Sequence, residues 1–239
     1  VAYDLLTAGK TLEQIVDGDR KSYVMQYIDW KHIENNAFHV TEEFAVSRTG
    51  MSDTYRPDIV LFVNGIPLCI IECKRPDIKD SLNQAISQHL RNQKDDGIRS
   101  LYVYSALLLS TNVNEVSYAT TGTPKKFWNK WTEQFVDKTA EELYRYKLSE
   151  KVNQKHVVSD MSWKEYRMCA EPTVQYGSLK TPSIQDSYLY NLCRPDRLLN
   201  LMYRFTLYDD GVKKIARYQQ YFAVEKVMER VRNIEGGKR

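Results

Sequence analysis

The run from Arg56 to Pro76 constrains this chain more than any other stretch: Arg-Pro-Asp-Ile-Val-Leu-Phe-Val-Asn-Gly-Ile-Pro-Leu-Cys-Ile-Ile-Glu-Cys-Lys-Arg-Pro. Two apolar segments of strand length flank Asn64-Gly65, a dipeptide that signals a hairpin. Asp58 opens the first segment, Glu72 closes the second, and Lys74 follows two residues later. Charged groups at the ends of apolar strands are costly to desolvate unless they pair or bind something. Two carboxylates suit a hard divalent cation such as Mg²⁺, and an amine beside them suits the charge of a phosphodiester transition state.

Residues alternate faces along a strand, so Glu72 and Lys74 share one face and Cys73 takes the other. The register of the pair decides whether Asp58 joins them. A two-residue Asn64-Gly65 turn pairs Val63 with Ile66 and sets Asp58 opposite Ile71, on the wrong face. A three-residue loop, Asn64-Gly65-Ile66, pairs Val63 with Pro67 and brings Asp58 opposite Glu72. The longer loop is therefore expected, with Gly65 supplying its left-handed residue. The Cys73 backbone carbonyl is then a third candidate metal ligand beside Asp58 and Glu72. The bland alternative is a Glu72–Lys74 surface pair of little energetic weight. The uninterrupted apolar strands between these charges weaken that alternative.

The rest of the chain is read more coarsely. Its 239 residues allow one large or two smaller domains, and 42% hydrophobic with 27% charged residues is an ordinary globular balance. The net charge of +3 permits nucleic-acid binding without arguing for it. Cys69, Cys73, Cys169 and Cys193 form no metal-ligand spacing and read as small buried hydrophobes in a reducing compartment. No signal peptide or membrane-length apolar run is visible, so a cytoplasmic location is expected. Residues 1–35 read as helical, with Tyr23, Val24, Tyr27 and Ile28 at helical spacing. A strand is expected over Phe38 to Val46, interrupted at Thr41-Glu42-Glu43. Asp80-Ser81 caps a helix from Leu82 to about Gln93. Leu101 to Leu109 reads as a buried strand, Asn112 to Pro124 as a polar loop, and Phe127 to Phe135 as a helix with an aromatic face. Two C-terminal helices are expected, Ser187 to Phe205 and Lys213 to Val231, separated at Asp209-Asp210-Gly211. Strand, helix and strand in succession give an α/β (α+β) class: a mixed central sheet flanked by helices, followed by a helical C-terminal region.

The pattern Pro57-Asp58 with Glu72-Cys73-Lys74 resembles the Pro-Asp…(Asp/Glu)-x-Lys nuclease superfamily. Its surroundings resemble the nuclease domain of the restriction (motor) subunit of type I restriction–modification enzymes. That resemblance implies a restriction-endonuclease-like core over 1–145, a connecting region over 146–186, and over 187–239 a helical linker with the start of a helicase motor. It implies an Mg²⁺-dependent type I site-specific deoxyribonuclease with Asp58, Glu72 and Lys74 at its centre. It also implies a Gln-x-x-x-Tyr helix beside the site, near DNA. Gln88 fits the glutamine, while Asn92 stands where the tyrosine is expected. Gln88, Arg91, Lys125 and Lys126 are the candidate contacts to double-stranded DNA. Near the C-terminus, Ile215 to Val224 looks like the start of the motor, where Gln220, supported by Arg217, would recognise the adenine of ATP. No G-x-x-x-x-G-K-[ST] phosphate loop is present, and the chain is expected to be part of a longer polypeptide. The implied partners are the methyltransferase and specificity subunits. Two other classes share the core: a non-catalytic DNA-binding or assembly module, and a repair or junction-resolving nuclease. The intact Asp58, Glu72 and Lys74 disfavour the first, and the motor-like C-terminal segment disfavours the second.

Overall fold

The fold grows from three dipeptides, Asp17-Gly18, Asn64-Gly65 and Asp210-Gly211, each with both residues at positive φ. This is the backbone of a type I′ turn, which Asx-Gly adopts at low cost and which matches strand twist. Each dipeptide makes a hairpin in the computed structural model, which describes residues 2–154 and 179–235.

The first hairpin corrects the expected N-terminal helix. A short helix α1 (Ala2–Ala8) is followed by β1 (Lys10–Val16) and β2 (Asp19–Met25), paired antiparallel around Asp17-Gly18. The helical spacing of Tyr23, Val24, Tyr27 and Ile28 carries no helix, because the turn dipeptide closes the chain back on itself. Only Ile28 of these four is fully buried.

The centre is a five-stranded mixed sheet. Its strands are β3 (Phe38–Glu42), β6 (Ile59–Val63), β7 (Ile66–Cys73), β8 (Leu107–Thr111) and β9 (Val116–Ala119), neighbours in that order. Only β7 and β8 pair in parallel. A two-stranded flap, β4 (Val46–Ser47) and β5 (Thr54–Tyr55), lies between β3 and β6 in sequence. Helices α2 (Ser81–Asn92) and α3 (Arg99–Tyr104) form the β7-to-β8 crossover. The expected strand over Leu101 to Leu109 is thus two elements, since a short apolar run suits a buried helix as well as a strand. Asp80 precedes α2 at positive φ, and its side chain makes no capping hydrogen bond.

Strand β9 falls in the stretch read as a polar loop, and all four of its residues are buried. The expected aromatic helix after it is absent: Lys125–Phe127 forms one 3₁₀ turn, and Asn129 then bridges Tyr118 as extended chain. Trp131 is core. The described C-terminal part comprises α4 (Lys138–Asn153), α5 (Ile184–Cys193) and α6 (Pro195–Arg204), then the hairpin β10 (Thr206–Asp209) and β11 (Val212–Ile215), then α7 (Tyr218–Glu235). Pro195 splits the single helix expected over Ser187 to Phe205, because its ring cannot continue α5 yet suits the first turn of α6. Cys169 and most of the expected connecting region lie outside the described residues.

Alternation along the strands makes two cores. Val60, Ile70 and Leu108 pack against Leu101 and Tyr102 of α3. Cys69, Ile71, Leu107 and Leu109 face the other way, with Leu192, Leu198, Leu201 and Tyr221 of the C-terminal helices. The C-terminal layer is held by Arg197, only 5% exposed. It pairs with Glu133 at 2.8 Å and lies over the rings of Trp131, Tyr221 and Phe222.

Register around the central hairpin differs from expectation in an instructive way. The turn is the tight one: Val63 faces Ile66 and Phe62 faces Pro67. A bulge then intervenes, and Leu61 faces Cys69, Val60 faces Ile70 and Ile59 faces Ile71. Leu68 is the extra residue, and its carbonyl accepts the Ala106 N–H at 2.9 Å. The shift that a longer loop was expected to supply comes from this bulge, and the register beyond it carries Asp58 toward Glu72.

Asn64 does more than turn the chain. Its Oδ1 accepts the Ala37 N–H at 2.8 Å, and its Nδ2 donates to the Tyr27 carbonyl and to Asn36 Oδ1. Replacing Asn64 by Ala removes these bonds and leaves a methyl side chain at positive φ. A loss of about 2 kcal/mol is expected, read as a lower urea midpoint at unchanged slope.

Candidate active site

Strand β7 ends where its apolar sequence gives way to Glu72, Cys73 and Lys74. Glu72 is wholly buried on the face that carries Ile70, while Cys73 packs into the opposite core. Asp58 is pinned from both sides: its carbonyl accepts the Glu43 N–H, and its Oδ2 accepts the Cys73 N–H at 2.6 Å. The Asp58 and Glu72 carboxyl groups are close enough that the Asp58 charge raises the Glu72 pKa. Lys74 Nζ donates to the Cys73 carbonyl at 3.2 Å and lies 3.8 Å from Asp58 Oδ2. Asp58, Glu72, the Cys73 carbonyl and Lys74 therefore converge at one strand end.

Helix α2 supplies the wall over this point. Gln88 Nε2 donates to Glu72 Oε2 at 2.6 Å, and Asn92 Nδ2, one turn on, approaches Glu72 Oε1 at 3.3 Å. The two amides reach the two oxygens of one carboxylate because residues four apart share a helix face. Burial pushes the Glu72 carboxyl up to about 8, and the neighbouring Asp58 adds to this. Lys74 and Arg91 pull in the opposite direction.

Lys74, Gln88, Arg91 and Lys125 line a cleft of about 390 Å³, with Asn83 and Ser87 beside them. Lys126 lies over the Phe127 ring at 4.7 Å and is not among the residues lining that cleft. Arg91 is partly engaged within the fold: its guanidinium lies over the Tyr55 ring and donates to Asn92 Oδ1.

Gln220 and Arg217 stand elsewhere. Gln220 Oε1 accepts the Arg217 N–H at 2.8 Å, a bond that caps the start of α7. Both residues line a cavity of about 880 Å³ whose walls include Phe127, Leu207, Ile215 and Val224.

Among the described residues, no group of three or more His, Cys, Asp or Glu side chains is placed to hold a metal ion. The strand end instead offers two carboxylates and one carbonyl, all hard oxygen donors. Two neighbouring carboxylates, Glu72 buried and Asp58 about one-third exposed, suit a cation that keeps several of its own waters, which is the habit of Mg²⁺.

A family model described as the N terminus of type I restriction enzyme R proteins matches residues 1–127, more than half of the chain. The chain belongs to this family. Among curated relatives, it is 29% identical over 231 residues to a Methanocaldococcus jannaschii protein named "Putative type I restriction enzyme MjaIXP endonuclease subunit". That match covers 96% of this chain and 20% of the relative. It is 27% identical to the type I restriction enzyme HindI endonuclease subunit of Haemophilus influenzae, covering 95% of this chain and 18% of that subunit. The chain thus spans about a fifth of the length of the curated relatives it matches. In this R-protein segment the Asp58–Glu72–Lys74 cluster, Gln88 and Asn92 all lie within the matched residues, while Arg217 and Gln220 lie beyond them.

Sequence reasoning passed over His89, Tyr102 and Tyr55. His89 is fully buried between the Tyr102 hydroxyl, 3.0 Å from Nδ1, and the Leu109 carbonyl, 2.9 Å from Nε2. A histidine inside the amphipathic pattern of α2 gives no signal of such partners. Burial lowers its pKa to about 4, against an ordinary value near 6.5. The folded chain therefore resists a proton that the unfolded chain accepts, so stability from His89 is full above pH 6.5 and is lost as pH falls toward 4. The whole effect is on the order of 3 kcal/mol. The stability difference between the wild type and His89→Gln should shrink over that window, measured by urea unfolding at stepped pH without metal. Other titrating groups, Glu72 included, largely cancel in the difference.

Proposed function

We propose that this chain is the Mg²⁺-dependent nuclease segment of a type I restriction enzyme R subunit, cutting double-stranded DNA in the cytoplasm. The observation that carries this reading is the convergence of Asp58, Glu72, the Cys73 carbonyl and Lys74 at the end of β7. It is the constellation of the Pro-Asp…(Asp/Glu)-x-Lys nucleases, and it lies in a chain whose relatives are named as endonuclease subunits.

Asp58, Glu72 and the Cys73 carbonyl would hold the metal. When bound, Mg²⁺ supplies Lewis-acid neutralisation of the scissile phosphate and a more acidic attacking water. The chain's own groups do the rest. The two carboxylates orient water from fixed positions, because Asp58 is locked onto the Cys73 amide and Glu72 onto two side-chain amides. Lys74 carries a positive charge at the same strand end, suited to stabilising the negative charge that develops on the phosphate oxygens. Lys125 and Arg91 place cationic charge along the cleft, where a duplex backbone would run, and Lys126 extends it. Gln220 and Arg217, beside an apolar cavity roomy enough for a purine, would contribute to ATP binding in the full-length subunit. ATP-driven translocation and assembly with methyltransferase and specificity subunits belong to the remaining length of the enzyme.

In the full-length subunit assembled with its partners, Asp58→Ala, Glu72→Gln and Lys74→Ala should each reduce DNA cleavage by about 1,000-fold while ATP hydrolysis persists. Chelation of Mg²⁺ should abolish cleavage in the wild type. Retained cutting by all three variants would overturn the site. Separately, Lys125→Ala should lower the slope of log affinity against log salt by about 0.9 in a DNA-binding titration.

A further inference from the structure

Asn92 stands where the resemblance leads one to expect a tyrosine, and its surroundings define a different task. It is 1% exposed. Its Oδ1 accepts from Arg91 Nε at 3.3 Å and from Nη2 at 3.2 Å. The Arg91 guanidinium is held over Tyr55, 4.7 Å from the ring centre, and Arg48 covers the same ring at 4.6 Å. Arg48 is anchored in turn by Asp53 and Asp96. This outer side fixes which way the Asn92 amide points. With Oδ1 committed to a cation, Nδ2 must face inward, toward Glu72 Oε1 at 3.3 Å.

The inner side closes the same argument. The Tyr102 hydroxyl lies 3.0 Å from His89 Nδ1 and close enough to Asn92 to feel its amide. His89 Nε2 faces the Leu109 carbonyl, which can only accept, so Nε2 carries the proton and Nδ1 is left as an acceptor. The Tyr102 O–H then donates to His89, so its oxygen turns lone pairs toward Asn92, which favours the inward orientation of Nδ2. Every donor in the chain has one direction open to it, from Arg91 at the surface to the β8 backbone.

We propose that Asn92 is the positioning residue of Glu72: a buried amide, oriented by Arg91 on Tyr55 from outside and by Tyr102 and His89 from inside, that holds one carboxylate oxygen so that the other side of the group can serve the metal with Gln88. This assignment rests on the nuclease reading above. It makes Asn92 a residue that acts through Glu72, with no contact to DNA.

The test uses the full-length subunit. Asn92→Leu removes the amide at similar volume, and Tyr102→Phe removes only the hydroxyl. Mn²⁺ binding is measured by titration calorimetry, and the Mg²⁺ dependence of cleavage is measured in the assembled enzyme. Asn92→Leu should weaken Mn²⁺ binding by about tenfold and raise the half-maximal Mg²⁺ for cleavage in step, with DNA affinity and its salt slope unchanged. Tyr102→Phe should shift both in the same direction by less. Wild-type Mn²⁺ affinity in both variants would overturn the proposal, as would lost DNA affinity at unchanged metal affinity. If Asn92→Leu does not fold, Tyr102→Phe decides alone. Glu72→Gln separates this from the reading beneath it: cleavage by Glu72→Gln sinks the active site, whereas loss of cleavage there with both other variants silent sinks only the role of Asn92.

Discussion

The extra residue at Leu68 is the constraint on which the site depends. Strand faces have a period of two, so a one-residue slip exchanges the two sides of everything beyond it. With the tight Asn64-Gly65 turn and no bulge, Asp58 and Glu72 would lie on opposite faces of the sheet. The bulge is tolerated because its carbonyl finds the Ala106 amide on the approach to β8, and because the Leu68 side chain is fully buried. A local irregularity is thus sustained by a neighbouring strand, and the carboxylate pair is its product.

Among the described residues, Arg197 and Glu72 are buried on opposite faces of the sheet, and the two are handled differently. Arg197 is offset by a direct partner, Glu133, and by three aromatic rings, an arrangement that suits a guanidinium and ties α6 to α7. Glu72 receives two neutral amides and lies near a second carboxylate. Removing a charge from water without a full counter-charge is costly, and the raised Glu72 pKa expresses that cost. The first arrangement is what a stabilising contact looks like. The second is what a site looks like whose remaining charge balance is left to a ligand.

The α/β class, the central hairpin and α2 were legible in the sequence because each has a strong local signature, whereas the approach of Asp58 to Glu72 was expected from a longer loop and comes from the bulge instead. The misreadings share a cause. Residues 19–25, 101–104 and 116–119 are short elements whose periodicity is ambiguous and whose identity is settled by what they pack against. The Asp17-Gly18 and Asp210-Gly211 turns were written as plainly as Asn64-Gly65, and giving all three equal weight would have recovered both outer hairpins. The network behind Glu72 had no such signature. Tyr55, Arg91, Asn92 and Tyr102 come from three elements, and only folding makes them neighbours. Arg91 illustrates the limit: its charge suggested a DNA contact, while its stacking on Tyr55 and bond to Asn92 are invisible in the chain.

Strand β7 is also a mechanical partition. Glu72 looks toward α2, while Ile71 and Cys73, its immediate neighbours, look toward the layer built from α5, α6 and α7. The two layers grip alternate teeth of one ribbon, and the ribbon is held laterally by strands on both sides. A sideways load on the C-terminal layer is therefore delivered to the backbone that bears the carboxylate, over the distance of a single peptide bond.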